Sequence, residues 1–247
     1  MSTLYIVATP IGNLEDLTSR ALRVLRESDL ILCEDTRKTQ NLLAHYNIKT
    51  PTLSYHQHSK LQRINYILDL LRQDKIIALV SDSGTPGISD PGNKLISYIV
   101  TQLNRKNQLT PLEARLAKGG NQLINQVTII PIPGPSAVIA ALSICGFPAD
   151  KFLFLGFPPH KKGRQKFFQE IAVAKYTVIF YESPYRILKT LNELNNSPDL
   201  KNREIMVGRE LTKKFETIYR GTIQEVLDKL KREEVRGEFV VIINQNI

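Results

Sequence analysis

The sequence has few cysteines and no long apolar run. Cys33 and Cys145 are the two cysteines among 247 residues, and each lies within an apolar segment. Two thiols argue against a disulfide scaffold and are typical of a reducing compartment. No apolar run approaches the roughly 18 residues of a membrane-spanning helix. The N-terminus enters a strand pattern directly, so no signal peptide is predicted and we expect a cytoplasmic protein.

Two common nucleotide-binding signatures are also absent. The chain contains neither G-x-x-x-x-G-K-[ST] nor a G-x-G-x-x-G turn that opens the first helix. Their absence disfavours a kinase, a GTPase and a nicotinamide dehydrogenase. His56 and His58 form an H-x-H pair, but no further metal-binding side chains follow nearby, so no metal site is predicted.

Basic residues outnumber acidic ones. The chain carries 33 Lys and Arg against 24 Asp and Glu, a net charge of +9. Such a surplus attracts polyanions, although it also serves solubility alone. The densest basic run is 160–166 (HKKGRQK), which follows several aromatic residues. We expect Lys161, Lys162 and Arg164, together with Arg37, to contact RNA; the alternative is a solvated face.

Short β-type runs alternate with segments of helical periodicity along the whole chain. This alternation predicts an α/β protein of two domains, each with a helix-flanked sheet that is mostly parallel or mixed. A Gly/Pro-containing turn at 145–150 predicts a boundary between residues 1–149 and residues 150–247. The predicted strands are 4–8, 29–33, 51–54, 76–80, 127–132, 176–182, 204–208 and 239–243.

One polar segment, at about 103–123, is longer than a usual connection. It is rich in Gln and Asn and carries more bases than acids. We interpret it as a surface insertion, with a small RNA-contacting element as the alternative.

Three Gly/Pro-rich loops directly follow three predicted strands. They span residues 8–16, 81–92 and 133–137. Ligands of open α/β sheets bind at the carboxyl ends of strands, so three converging loops predict a ligand site there. Small residues, backbone N–H groups and few carboxylates favour a ligand that is not held through a triphosphate.

Eight ordered motifs between Leu4 and Ile243 resemble the ribosomal RNA small subunit methyltransferases of the tetrapyrrole methylase-like superfamily. The motifs are TPIGNLED (9–16), EDTR (34–37), SDSGTPGISDPG (81–92), PIPGPSA (131–137), FLGFPP (154–159 with Leu153 before it), FYESPYRI (180–187), GRELTKKFET (208–217) and GEFVVII (237–243).

The resemblance implies a defined reaction. It implies 2′-O-methylation of a cytidine ribose at the decoding centre of 16S rRNA, with S-adenosylmethionine as the methyl donor. It further implies a homodimer and a cofactor cleft between two α/β domains. The chain departs from the family in its longer 103–123 segment and in ending soon after Ile243, where many relatives continue.

The three loops contain the candidate cofactor-binding residues. Matching positions are Ile11 in the first loop, Asp82 and Thr85 in the second, and Ser136 and Ala137 in the third. Asp82 is predicted to contact the methionine ammonium; a turn-forming Asp bonded within its own loop is the alternative. For Ser136 the alternative is a helix N-cap.

Glu182, Glu210 and Lys214 are the candidate catalytic residues. The two carboxylates follow strands of the second domain, where they could orient the ribose or accept a hydrogen bond from its hydroxyl. Structural pairing with Arg186 or Arg209 is the alternative, and the base that removes the hydroxyl proton is not identified.

Two other functions are compatible with parts of this pattern. One is a small-molecule methylase of the same fold that acts on a tetrapyrrole precursor. The basic surplus argues against it, as does TPIGN where a G-x-G-P-G-type turn is expected. The other is a non-catalytic rRNA-binding assembly protein, which would not need an intact set of cofactor loops.

Overall fold

The protein is described by a computed structural model covering residues 2–56, 59, 61–89, 92–108 and 127–245. The chain divides into two compact units. The first comprises Met1–Pro10 and Leu14–Pro135, and the second comprises Ile11–Asn13 and Ser136–Ile247. The later part of the predicted 103–123 insertion, from residue 109, lies outside the described residues.

The first unit contains a five-stranded sheet. Its strands are β1 (Ser2–Val7), β2 (Leu30–Cys33), β3 (Thr52–Ser54), β4 (Ile76–Leu79) and β5 (Val127–Ile132). The order is β3-β2-β4-β1-β5, and every neighbouring pair is parallel. All five carboxyl ends therefore lie at one edge of the sheet.

Helices alternate with these strands, and a 3-10 turn at Leu14–Asp16 follows β1. The helices are α1 (Ser19–Glu27), α2 (Thr36–His45), α3 (Leu61–Arg72) and α4 (Asn93–Gln108). The Thr18 side chain accepts a hydrogen bond from the N–H of Ala21 and so caps the N-terminus of α1.

Both faces of the first sheet are buried, as expected for a parallel sheet between helices. Leu4, Leu32 and Ile77 pack with α3 residues such as Ile67 on one face. On the other face, a second cluster joins Val7, Ile31, Ala78 and Val80 to Ala21, Val24 and Leu25 of α1. Strand residues that point to opposite faces thus serve two separate cores.

The second unit contains a mixed five-stranded sheet of order β6-β7-β10-β8-β9. The strands are β6 (Phe152–Phe154), β7 (Thr177–Glu182), β8 (Glu204–Arg209), β9 (Thr217–Thr222) and β10 (Phe239–Ile243). Its helices are α5 (Ala137–Cys145), α6 (Arg164–Val173), α7 (Ile187–Asn195) and α8 (Ile223–Leu230). The two sheets confirm the predicted fold class.

Three strands of the second sheet end at the same edge. β6 is parallel to β7, while β7 and β8 are both antiparallel to β10. Phe239 of β10 is accordingly paired with Glu182 on one side and with Arg209 on the other. The loops that follow β6, β7 and β8 therefore share one edge, which we call the carboxyl edge of the second sheet.

The division between the units lies at residues 135 and 136, earlier than the predicted boundary after residue 149. Its physical reason is the packing of α5. Val138, Ala141 and Leu142 of this helix share a core with Ile179 and Val240 of the second sheet.

The helices that the structure describes include no candidate for a membrane-spanning segment.

Candidate functional site

The three Gly/Pro-rich loops meet at the carboxyl edge of the first sheet, as predicted. Thr9 and Gly84 exchange two backbone hydrogen bonds, of 2.9 and 3.1 Å, which join the first loop to the second. The Thr85 hydroxyl donates to the carbonyl of Pro135 at 3.2 Å and joins the second loop to the third. A Cβ added to Gly134 would lie 2.9 Å from the Ala8 Cβ, so the third loop also packs against the first.

Buried hydroxyl groups fix the second loop from within. The Thr9 side chain donates to the carbonyl of Ser81 at 3.2 Å, and the Ser81 side chain donates to the carbonyl of Gly84 at 3.1 Å. Both side chains are almost fully buried. The loops therefore form a preorganised surface of backbone groups, which suits a ligand recognised by its shape and polar groups.

Asp82 connects the second loop to the N-terminus of α2. One carboxylate oxygen accepts from the N–H of Asp35 at 3.0 Å, and the other accepts from the Lys38 ammonium at 2.8 Å. The Asp82 side chain remains 22% exposed. Its partners lie at the start of α2 and not in its own loop, so neither sequence interpretation described them. A contact with a ligand ammonium stays a prediction.

The EDTR motif forms the start of α2. Asp35 is the N-cap, and its carboxylate accepts from the backbone N–H of Arg37 at 2.9 Å and from the Arg37 guanidinium at 3.1 and 2.8 Å. These bonds lower the pKa of Asp35 to about 2. The Arg37 side chain is highly exposed, but its guanidinium is already paired with Asp35. In an RNA contact, the guanidinium would bind the Asp35 carboxylate and an RNA phosphate together.

Glu34 lies beside the same cluster. Partial burial is the main cause that raises the pKa of Glu34, and the negative charge of Asp82 raises it further, while Lys38 opposes the shift. Three carboxylates, from Glu34, Asp35 and Asp82, thus stand at the ends of β2 and β4. The Lys38 ammonium bonds to Asp82 and attracts the charge of Glu34, whereas Asp35 pairs with Arg37.

The remaining cofactor candidates fall in both units. Thr85 belongs to the first unit, whereas Ile11, Ser136 and Ala137 belong to the second. Ile11 is buried with α5 residues. Ser136 has the extended backbone of an N-cap, but its side chain forms no capping hydrogen bond. The first-turn N–H groups of α5 are therefore not satisfied by Ser136, and such groups favour an anionic ligand group such as a carboxylate.

Glu182 is enclosed in a polar network. Its carboxylate accepts from the N–H of Ser183 at 2.8 Å, from the Thr190 hydroxyl at 2.6 Å and from the Arg186 guanidinium at 2.8 Å. The Glu182 side chain is 0% exposed. This is the structural pairing with Arg186 that the sequence left as an alternative, and no exposed carboxylate remains to meet a substrate.

Arg164 extends this network and does not face solvent. Its guanidinium donates to the Thr190 hydroxyl at 2.7 Å, to the Glu193 carboxylate at 2.6 Å and to the carbonyl of Pro159 at 3.0 Å. Only 8% of the residue is exposed. The RNA-contacting role predicted for Arg164 is therefore corrected: the side chain anchors the start of α6. Lys161 and Lys162, by contrast, are exposed.

The loop after β8 carries Glu210. Its carboxylate accepts from the Lys213 ammonium at 2.9 Å and from the N–H of Glu238 at 2.8 Å. Burial alone would raise the pKa of Glu210, but these two hydrogen bonds and nearby positive charges lower it on balance. Glu210 and Thr212 both have positive φ, so the loop is held in a backbone conformation that L-residues adopt rarely.

Two glycines allow Glu210 and Lys213 of this loop to pack closely against the neighbouring backbone. A Cβ on Gly237 would lie 2.4 Å from the Glu210 Cδ, and a Cβ on Gly12 would lie 2.3 Å from the Lys213 Cγ. Lys213 bridges Glu210 and Glu238, each at 2.9 Å. Burial lowers the pKa of Lys213, but the two carboxylates more than reverse this and raise it on balance. Lys214, the predicted catalytic lysine, is exposed beside Phe215.

Sequence reasoning missed several residues of these networks. Thr190 and Glu193 lie in α7, a helix that the sequence analysis did not single out, and Lys38 lies just beyond the EDTR motif. The helical spacing of Arg186 and Thr190, one turn apart, was the available signal. Among the described residues, which exclude His58, no group of three metal-binding side chains occurs.

A family model for Tetrapyrrole (Corrin/Porphyrin) Methylases matches residues 3–108 and 121–227. The chain belongs to this family, which confirms the recognition made from the eight motifs. Solved structures with the same fold include diphthine synthase, with a TM-score of 0.68 at 12% identity over 98% of this chain and 90% of that one. The Thermus thermophilus uroporphyrin-III C-methyl transferase complexed with S-adenyl homocysteine has a TM-score of 0.59 at 18% identity, over 98% and 97%.

Relatives with higher identity share a more specific name. A protein named ribosomal RNA small subunit methyltransferase I from Halalkalibacterium halodurans is 41% identical over 99% of this chain and 76% of the relative. Its namesakes from Thermotoga maritima and Vibrio cholerae are 38% and 43% identical; the alignments span 99% and 98% of this chain and 99% and 76% of those relatives.

Proposed function

We propose that the protein is an S-adenosylmethionine-dependent methyltransferase that methylates small-subunit ribosomal RNA. The observation that carries this proposal is the match of about 40% identity, over nearly the whole chain, to proteins of that name. The finer proposal is 2′-O-methylation of a cytidine ribose in the decoding centre of 16S rRNA. A homodimer acting in the cytoplasm completes it.

The cofactor loops supply polar groups that fit this methyl donor. S-adenosylmethionine carries a carboxylate, an ammonium group and an activated sulfonium methyl group. The N–H groups at the start of α5, which the Ser136 side chain does not cap, suit the carboxylate. Asp82 is our candidate for the ammonium group, with Thr85, Ile11, Ser136 and Ala137 at matching positions of the loops.

The protein has to orient a ribose hydroxyl and let its proton leave. Glu210 is ionised at neutral pH because Lys213 and the N–H of Glu238 stabilise its charge. An ionised carboxylate accepts a hydrogen bond from the hydroxyl and orients it, but a lowered pKa makes it a weak proton acceptor. We therefore assign Glu210 to orientation, with solvent as the final proton acceptor.

The two other catalytic candidates receive different roles. Lys214 is exposed and positively charged, which suits a phosphate contact next to the ribose. Glu182 is enclosed by Ser183, Arg186 and Thr190 and is assigned to the structure of the loop after β7.

The test is a methyl-transfer assay with radiolabelled S-adenosylmethionine. The substrates are small ribosomal subunits, naked 16S rRNA and, as the small-molecule alternative, a tetrapyrrole precursor. We expect label in the RNA, at a nucleotide whose 2′-O-methyl group resists alkaline cleavage. Transfer to the tetrapyrrole alone would contradict the proposal; cofactor binding without transfer to any substrate would favour an assembly protein. Sedimentation of the purified protein gives its molecular mass in solution and so tests whether it is a dimer.

A further inference from the structure

Three aromatic side chains are exposed on the three loops that share the carboxyl edge of the second sheet. Phe157 follows β6 and is 52% exposed, Tyr185 follows β7 and is 94% exposed, and Phe215 follows β8 and is 70% exposed. Exposed lysines lie close to two of these rings in sequence. We call this set the aromatic edge: Phe157, Tyr185 and Phe215 with Lys161, Lys162 and Lys214.

The loop that carries Tyr185 is held rigidly. The N–H groups of Arg186 and Ile187 both donate to the carbonyl of Ser183, at 3.1 and 3.0 Å. The Arg186 guanidinium donates to the carbonyl of Pro158 at 2.9 Å, which ties this loop to the one that carries Phe157. The same guanidinium donates to the Ser183 hydroxyl at 3.2 Å and pairs with the buried Glu182. Tyr185 therefore projects from a fixed backbone.

The loops on either side are equally constrained. The N–H of Tyr181 donates to the carbonyl of Gly156 at 2.8 Å, and the Phe157 ring lies 5.4 Å from the Tyr181 ring. In the loop after β8, Glu216 accepts from the N–H of Thr212 at 2.6 Å. Rings on fixed loops lose little conformational entropy when they bind a partner.

The chemistry of the partner follows from rings and lysines together. Exposed aromatic faces stack on nucleobases, and lysines bind the phosphates between those bases. Neighbouring strands are about 4.8 Å apart, so the loops after β6 and β8 are separated by roughly 14 Å along the edge, room for several bases. Stacking needs unpaired bases, because the bases of a duplex already stack on one another.

From this juxtaposition we infer that the aromatic edge binds a short run of unpaired RNA nucleotides, with one base stacked on Tyr185. The inference rests on the proposed function and deepens it, since it assigns the recognition of the RNA to a surface and to one side chain. Tyr185 acts by stacking and is separate from the groups assigned to methyl transfer.

The chain provides a matched control. Tyr176 precedes β7 and is 45% exposed, so it lies at the opposite edge of the same sheet. We therefore compare Tyr185→Ala with Tyr176→Ala in their affinity for a fluorescein-labelled single-stranded RNA and for the same sequence as a duplex. Because Tyr185 and Tyr176 are both exposed side chains outside the core, both variants are expected to fold as the parent does.

We expect Tyr185→Ala to weaken single-stranded RNA binding about 5- to 150-fold, the range for the loss of one stacked base. Duplex binding and the slope of log K against log salt should not change, because no cation is removed. Tyr185→Phe should restore the affinity. Parent-like affinity of Tyr185→Ala, or an equal loss in Tyr176→Ala, would overturn the inference, as would a changed oligomeric state with unchanged RNA affinity.

A second measurement uses the absence of tryptophan from the sequence. Tyr185→Trp introduces a single indole, whose fluorescence should be quenched by single-stranded RNA, whereas that of Tyr176→Trp should not be. Unquenched Tyr185→Trp would overturn the inference. Methyl transfer by the parent protein is measured separately. If the parent transfers methyl groups to RNA but substitution of Tyr185 does not change RNA binding, only the stacking inference is contradicted. If Tyr185 stacks on RNA but no methyl group is transferred, only the proposed reaction is contradicted.

Discussion

The carboxylate of Glu182 lies 2.8 Å from the guanidinium of Arg186, and the Glu182 side chain is completely enclosed. Truncation of one partner in such a buried pair costs about 3–5 kcal/mol, because the other charge is left without compensation. We expect Glu182→Ala to lower the free energy of unfolding by an amount in this range. Denaturant unfolding should show a lower midpoint with an unchanged slope.

Glu170→Ala is the control for this prediction, since Glu170 lies exposed on α6 and its loss should change stability by less than about 0.5 kcal/mol. Glu182→Gln retains a carbonyl oxygen for Thr190 and should be less damaging than Glu182→Ala. A stable Glu182→Ala variant without methyl-transfer activity would instead point to the catalytic role that the sequence first suggested.

Asp82 provides a prediction about cofactor affinity. If Asp82 contacts the ammonium group of S-adenosylmethionine, both Asp82→Ala and Asp82→Asn should weaken binding by about 10-fold or more, the value of a charge-assisted hydrogen bond. Lys38→Met removes the competing ammonium group and should not weaken binding. Calorimetric titration measures the affinities.

The three variants also separate contact from positioning. Asp82→Asn keeps an oxygen that can accept from the N–H of Asp35. If Asp82→Asn binds the cofactor as the parent does while Asp82→Ala does not, Asp82 only positions its loop.

The basic loop after β6 predicts a salt-dependent interaction with RNA. Replacing Lys161 and Lys162 with Ala should flatten the slope of log K against log salt by about one unit for each lost phosphate contact. Arg164 is left intact because it anchors α6. Filter binding at several salt concentrations measures the slope, and Lys175→Ala, an exposed lysine before β7, is the control. An unchanged slope in the double variant would refute the assignment.

Glu34 predicts a pH-dependent change in stability. Burial and the charge of Asp82 raise the pKa of Glu34 above its unfolded value. The folded state therefore binds this proton more tightly, and the ionised carboxylate opposes folding at pH values above the folded pKa. Glu34→Gln should raise the melting temperature at pH 7, and this gain should disappear as the pH falls below about 4.5, the unfolded pKa.

Asp35→Ala is the comparison for Glu34, because the pKa of Asp35 is lowered to about 2 and its charge supports the start of α2. This variant should be less stable than the parent at pH 7, with the difference shrinking as the pH falls from 3.8 towards 2. Thermal unfolding of both variants across pH tests whether Glu34→Gln is more stable and Asp35→Ala less stable than the parent at pH 7. A loss of stability in Glu34→Gln at pH 7 would contradict the assignment.

The main elements of both sheets follow from local sequence patterns. All eight predicted strands occur, and seven of them contain a run of apolar residues that marks a buried strand. The exception is the edge strand β3, whose TLS sequence contains a single apolar residue. β6 and β9 were not predicted. β6 has three residues and precedes a Gly/Pro-rich loop, while β9 is an edge strand whose TIYRGT sequence mixes polar and apolar residues. Edge strands bury fewer side chains, so the apolar signal is weaker.

The candidate site also has a part that the sequence predicts and a part that it does not. The meeting of the three loops was predictable, because parallel strands bring their carboxyl ends to one edge. The partners of Asp82 and Arg164 were not, since they depend on contacts with Lys38 in α2 and with Glu193 in α7. Arg164 shares a basic run with the exposed Lys161 and Lys162, and only its place in the first turn of α6 turns it inward.

The assignment of Ile11–Asn13 to the second unit has a consequence for biosynthesis. Gly12 packs against Thr212 and Lys213, about 200 residues later in the chain. Ile11–Asn13 are therefore synthesised well before the residues against which they pack. We expect the second unit to complete its core only when its last strand and Ile11–Asn13 are both present, so a fragment that begins at Ser136 should lack part of this core and unfold at lower denaturant concentration than this unit does in the whole protein.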